Sequence, residues 1–203
     1  MSNGINSSLN NTLGSYAYAS VQMASPAPAF GTTTDISGYS STQIAALTAS
    51  QVGALTTAQT ASISTGALAG FSARQMQALP TANIATFGTD QVAAGMRDSQ
   101  VAAINSQRMG SIDTSVLQNM TAGQIQSMTT SQIISLIDTQ LAALGTAQIA
   151  SMKATQIKAI ETRDLSGLTT GQMEAMTSTQ MGALSTNQLA ALSATQLAAV
   201  ETQ

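Results

Sequence analysis

No cysteine, histidine or tryptophan occurs among the 203 residues, only 3% are aromatic and only 7% carry a charge. Each absence removes a class of chemistry. Without cysteine there is neither a disulfide framework nor a thiol nucleophile. Without histidine the commonest general base and the usual zinc ligand are missing. The carboxylates stand apart along the chain, at Asp35, Asp90, Asp98, Asp113, Asp138, Glu161, Asp164, Glu174 and Glu201. They read as solvated or helix-capping groups rather than as a paired acid and base. Glu161 and Asp164 flank Arg163 in one local charge cluster, read as a modified cap.

There is no Walker-type or G-x-G-x-x-G glycine loop and no aspartate-rich calcium loop. No catalytic, cofactor or metal site is therefore expected, and the chain is not expected to be an enzyme. Six basic residues spread singly make no basic face, which removes nucleic acid as a partner. No run of 18 apolar residues exists, so no membrane span is expected. The N-terminus lacks the basic start of a secretory leader, although 16–29 has weak leader character, and cleavage there is not expected.

What the chain does contain is an eight-residue phrase, repeated from Gln43 onward about twenty times. Late copies read QMEAMTST, QMGALSTN and QLAALSAT: glutamine, bulky apolar, variable, small, bulky apolar, then three mostly Ser, Thr or Ala. Ala67, Asn83, Arg108, Val116 and Asp164 take the glutamine slot where glutamine is missing. One extra residue falls between Gln91 and Gln100, which reads as a kink or as a boundary between two blocks of copies. So short and regular a period means one small unit stacked many times.

The apolar positions are the second and fifth, three apart, and so share a helical face but would point to opposite sides of a strand. A continuous helix fails too, because eight residues overshoot two turns by about 80° and the apolar stripe would spiral. A train of very short helices remains. Ser185 followed by Gln188 is a capping box, with Leu184 and Leu189 at the staple positions around it. Thr129/Gln132, Thr169/Gln172, Thr177/Gln180 and Ser193/Gln196 repeat the pairing, and Asn105 and Asp113 cap the copies of Arg108 and Val116. Helices of five or six residues do not survive alone. The fold class expected is thus all-α, an α-solenoid of short capped helices over 43–203, with one or more pairs of copies per superhelical turn. Small residues at the fourth position, such as Ala191, Ser151 and Gly167, would allow close approach. Nearly all the methionines fall on second or fifth positions, where they fill the core.

Residues 1–42 differ. Four of the six aromatics, Tyr16, Tyr18, Phe30 and Tyr39, lie there with Pro26 and Pro28, which suggests an extended or irregular arm or cap. The last copies are the most consensus-like, so Leu189, Leu192, Leu197 and Val200 are expected to expose the apolar spine. A second copy placed on that end makes a head-to-tail contact, which grows into an open filament when its rotation does not close. The arm's aromatics are the expected anchors on the neighbouring subunit.

In the phrases TTSQIISL, GTAQIASM, STNQLAAL and SATQLAAV the chain resembles the Thr-x-x-Gln-Ile/Leu-x-Ala-Leu arrays of large bacterial surface proteins, often described as adhesins or haem-utilisation proteins. It is more distantly similar to the superhelical repeats of the mesothelin and stereocilin type. The resemblance implies a helical solenoid, a bacterial source, a location outside the cell or on its surface, and contact with a host-cell or matrix surface. Haem is not expected, since only Met and Tyr could ligate it. The leading expectation is a structural subunit that polymerises into a homopolymer, an extracellular filament or surface fibre. The alternative is a monomeric adhesin stalk or a peptide-binding solenoid.

Overall fold

The computed structural model describes residues 31–200, and every regular element among them is helical. Each copy of the phrase forms one short helix, from Ser41–Ala46 at the start to Ala194–Val200 at the end. The expected capping boxes are present. At Thr129 the side-chain oxygen accepts from the Gln132 N–H at 3.2 Å, while Gln132 Oε1 accepts from the Thr129 N–H at 2.8 Å. Ser185/Gln188, Thr169/Gln172, Thr177/Gln180 and Ser193/Gln196 repeat this arrangement. Asn105 and Asp113 cap as expected, accepting from the N–H groups of Gln107 and Ser115. At Gly145 and Lys153 the cap residue offers no side-chain acceptor, and only the glutamine half of the box remains.

Each interior helix packs on the helix three copies before it and the one three copies after, the pair of Gln91–Gly95 and Thr114–Gln118 being the weakest. Ser41–Ala46 lies on Thr65–Leu68, Thr130–Ile134 on Ala154–Ala159, and Thr170–Glu174 on Ala194–Val200. Bonds described below reach four copies back, so a superhelical turn closes between three and four copies. The expected pairing of copies is corrected accordingly: with helix contacts three copies apart and amide bonds 28 and 31 residues back, the turn holds no whole number of pairs. Second and fifth positions are buried throughout the middle, as at Ile125, Met128, Ile149 and Met152. Burying each such side chain contributes about 1.5–3 kcal/mol, which is where helices this short obtain their stability.

The extra residue after Gln91 does not divide the body into two units. It is taken up in a π turn, Gln91–Gly95, and the stack runs through it. Residues Thr32–Gln203 form a single compact unit. That unit includes a degenerate copy at 35–42: Ile36 is fully buried, and the Tyr39 N–H donates to the Ile36 carbonyl as Leu47 does to Ile44. Close approach at the fourth position is confirmed where glycine stands. A Cβ at Gly167 would fall 2.6 Å from the Asp138 carbonyl oxygen, and one at Gly70 would meet the backbone of Ser41.

Candidate functional site

The glutamine slot is where local capping and long-range packing meet. A six-residue helix leaves backbone N–H groups unpaired at its start and carbonyls unpaired at its end. One glutamine amide serves both kinds of end. Gln132 Oε1 accepts at its own helix start, while its Nε2 donates to the carbonyls of Val101 and Ile104 at 2.8 Å each, 31 and 28 residues earlier. Gln140 does the same to Met109 and Ile112, Gln148 to Leu117 and Met120, Gln156 to Ile125 and Met128, and Gln196 to Leu165 and Leu168. Across the π turn the spacing becomes 32 and 29 for Gln100, which donates to Leu68 and Phe71, then 32 and 28 for Gln124. These amides are buried, and no buried side-chain polar atom among the described residues lacks a partner.

Departures from glutamine follow the same logic. The copy led by Asn83 starts at Pro80, which has no N–H to offer, so the acceptor half is not needed. Asn83 keeps the donor half, to Leu55 O at 2.8 Å and Thr60 Oγ1 at 2.7 Å. Arg108 donates to the carbonyls of Gln77 and Leu79 but cannot accept, and its segment, Ser106–Ser111, tightens to 3₁₀ geometry. Asp164, which cannot donate, also leads a 3₁₀ segment, Asp164–Gly167, and pairs with Arg163 at 3.6 Å. Arg163 also pairs with Glu161, so the charge cluster does sit at a modified cap.

The two ends of the body differ from its middle. At the C-terminal end Leu189 is 39% and Leu197 41% exposed, although the same position is buried in interior copies. Met181 and Val200 are half-buried, and Leu192 is buried. Of the expected interface residues, then, the end brings Leu189 and Leu197 to the surface and keeps Leu192 inside. Tyr39 is half-buried in the degenerate first copy; Tyr16, Tyr18 and Phe30 lie outside the described residues. At the N-terminal end Gln43 is exposed and Gln51 half-buried.

Between the ends, the surface offers shallow grooves where one turn meets the next. One lies among Lys158, Glu161, Arg163 and Asn187, and an equivalent lies among Leu47, Ser50, Ser72 and Arg74. Ile134 and Ile137 are exposed at positions that other copies mostly give to small or polar residues. Among the described residues no three His, Cys, Asp or Glu side chains gather to hold a metal, and no helix is long and apolar enough to cross a membrane. Hydrogen bonds from the Ser37 backbone and side chain hold the Asp35 carboxyl below its ordinary 3.8, and the Ser115 hydroxyl and N–H do the same for Asp113.

The donor role of the glutamine was not read from the sequence. A signal for it exists: a capping box accepts Glu as readily as Gln, yet fifteen of the twenty slots are Gln and none is Glu. Only a residue required to donate as well as accept gives that bias.

Compared with known proteins, the chain matches the ALTTAQ repeat family over residues 157–194, the copies led by Asp164, Gln172, Gln180 and Gln188 with their flanks. The phrase itself is spelled out at 54–59. The chain is a repeat protein with an all-helical, solenoid-like body. No curated protein and no solved structure matches it.

Proposed function

We propose that this repeat protein is a structural subunit that self-associates end to end into a filament or surface fibre outside the cell. The observation that carries this reading is the contrast along the spine. A second-position side chain is covered by the copy three further on, and among the described residues no such copy lies over Leu189 and Leu197. Each interior copy already rests on a copy of nearly the same sequence, so the surface best shaped to cover them is the start of another body of the same kind. Heterologous contacts of this type propagate. Low charge adds little repulsion between stacked subunits, with only 7% charged residues and a net charge of −3. The extracellular setting comes from the resemblance of the octads to bacterial surface arrays, and no catalytic role is proposed.

Sedimentation velocity across a concentration series, with negative-stain electron microscopy of the same samples, tests the reading. Species that lengthen with concentration are expected. Monodisperse short rods at every concentration would overturn it and leave a monomeric stalk or peptide-binding module in its place.

A further inference from the structure

We infer that the stack carries one built-in hinge, a flank that opens where the copy led by Val116 lies over the copies led by Asn83 and Gln91. Such a hinge is independent of the self-associating reading above.

Three losses coincide there. The first is the slot bond. Glutamine at 116 would reach the carbonyls of Ile84 and Phe87, 32 and 29 residues back, as Gln100 across the same π turn reaches Leu68 and Phe71. Valine has no amide, and among the described residues no side chain donates to either carbonyl. The second is helix packing. Among the described residues, Gln91–Gly95 and Thr114–Gln118 make the weakest contact of all the helix pairs that stand three copies apart. The third is volume. An apolar void of about 10 Å³ lies between Ile84, Phe87, Val92 and Met96 of one turn and Val116 and Met120 of the next. Side chains that line a void lose dispersion contacts that packed ones keep.

Two other copies lack the amide donor, and a different device closes them. Ala67 and Asp164 lead copies whose fourth residues are Gly70 and Gly167, and each glycine lets the backbone press onto that of the turn before it, at Ser41 and Asp138. Thr65–Leu68 accordingly packs on Ser41–Ala46, and Asp164–Gly167 on Asp138–Ala143. The copy led by Val116 has Asn119 at its fourth position, an exposed side chain that folds back to donate to the Ser115 carbonyl at 2.8 Å. Among the described copies it alone loses the bond without gaining the close approach.

Its neighbours stay closed, which makes the opening a hinge and not a break. Asp98–Ala103 packs on Ala73–Ala78 and on Ala122–Ser127, and the Gln100 and Gln124 amides bond from turn to turn on either side of the missing one. The turns therefore part on one flank and pivot on the other.

Hydrogen–deuterium exchange of the full chain, read peptide by peptide and corrected for intrinsic rates, supplies the test. Segments 84–96 and 112–120 face the hinge. Segments 141–152 and 168–176 are their counterparts seven copies on, closed by the Gln172 amide on Leu141 and Leu144. The hinge segments should exchange about tenfold faster or more, since each of the two missing hydrogen bonds is worth a factor of several. V116Q restores the donor and N119G makes room for the close approach, so each should slow exchange at both hinge segments and leave 141–152 unchanged. Equal protection of the two pairs of segments in the wild-type protein overturns the inference, and that comparison needs no variant to fold. Fast exchange confined to 91–95 and indifferent to both variants belongs to the π turn alone and overturns it as well.

Discussion

Interior and terminal copies spell nearly the same phrase and have different fates. QIISL at Gln132 and QLAAL at Gln188 have the same glutamine and the same capping box, yet Ile133 is fully buried while Leu189 is 39% exposed. Nothing within either copy accounts for the difference. What differs is whether a further turn among the described residues lies over the copy, so burial in this molecule belongs to the stack and not to the unit. Quasi-one-dimensional proteins behave this way, because each unit's stability is mostly that of its interfaces.

Substituting the slot at both places breaks the comparison most sharply. Q132E removes two buried donor bonds and sets a carboxylate against Val101 and Ile104, and is expected to cost about 3 kcal/mol or more. Urea denaturation should show the loss, whereas Q43E should leave the monomer's unfolding midpoint unchanged. Truncating the apolar position comes next. Ile133→Ala should cost about 2–5 kcal/mol, and Leu189→Ala below about 1 kcal/mol in dilute protein because its side chain is already half in water. If the two cost the same, the distinction between middle and end is wrong.

Glycines sharpen the point on a smaller scale. Gly167→Ala drives a Cβ into the Asp138 backbone and should cost about 1–3 kcal/mol. A methyl placed on Gly66 would meet nothing within 4 Å, and the residue lies in a helix, so Gly66→Ala should be neutral or stabilising by up to about 1 kcal/mol. Thermal melts of the two variants should move apart.

The smallest effect is with pH. Asp35 and Asp113 have carboxyls held below 3.8 by their serine partners, so each adds stability that is present above that value and is lost as pH falls through the lowered one. Carbon-detected titration should find both midpoints under 3.8. Because both side chains lie fully at the surface, acid should loosen their caps without unfolding the stack.

Much of this architecture was legible in the chain, for reasons that are local. The Ser185/Gln188 box, the three-residue spacing of apolar positions and the small fourth position act within one copy, and periodicity reports them directly. How many copies make a turn was not legible, since it is set by where a Gln132 amide finds carbonyls 28 and 31 residues away, and a carbonyl leaves no trace in side-chain identity. How the slip after Gln91 is absorbed was not legible for a related reason. An added residue in a coiled coil shifts every later contact, but here the π turn Gln91–Gly95 confines it to one unit. At the ends, apolar letters at Leu192 and Leu197 looked equivalent, and only the direction of stacking separates the buried one from the exposed one.

Backbone acceptors have a further consequence for how such a chain can change over time. The partner of each slot amide is a peptide oxygen, which every residue possesses, so recognition between turns does not depend on which copy supplies it. Any unit can stand beside any other. Duplication or loss of whole units leaves all remaining partners matched, and an array held together this way can lengthen or shorten by recombination without being redesigned, its reach tuned as a simple count.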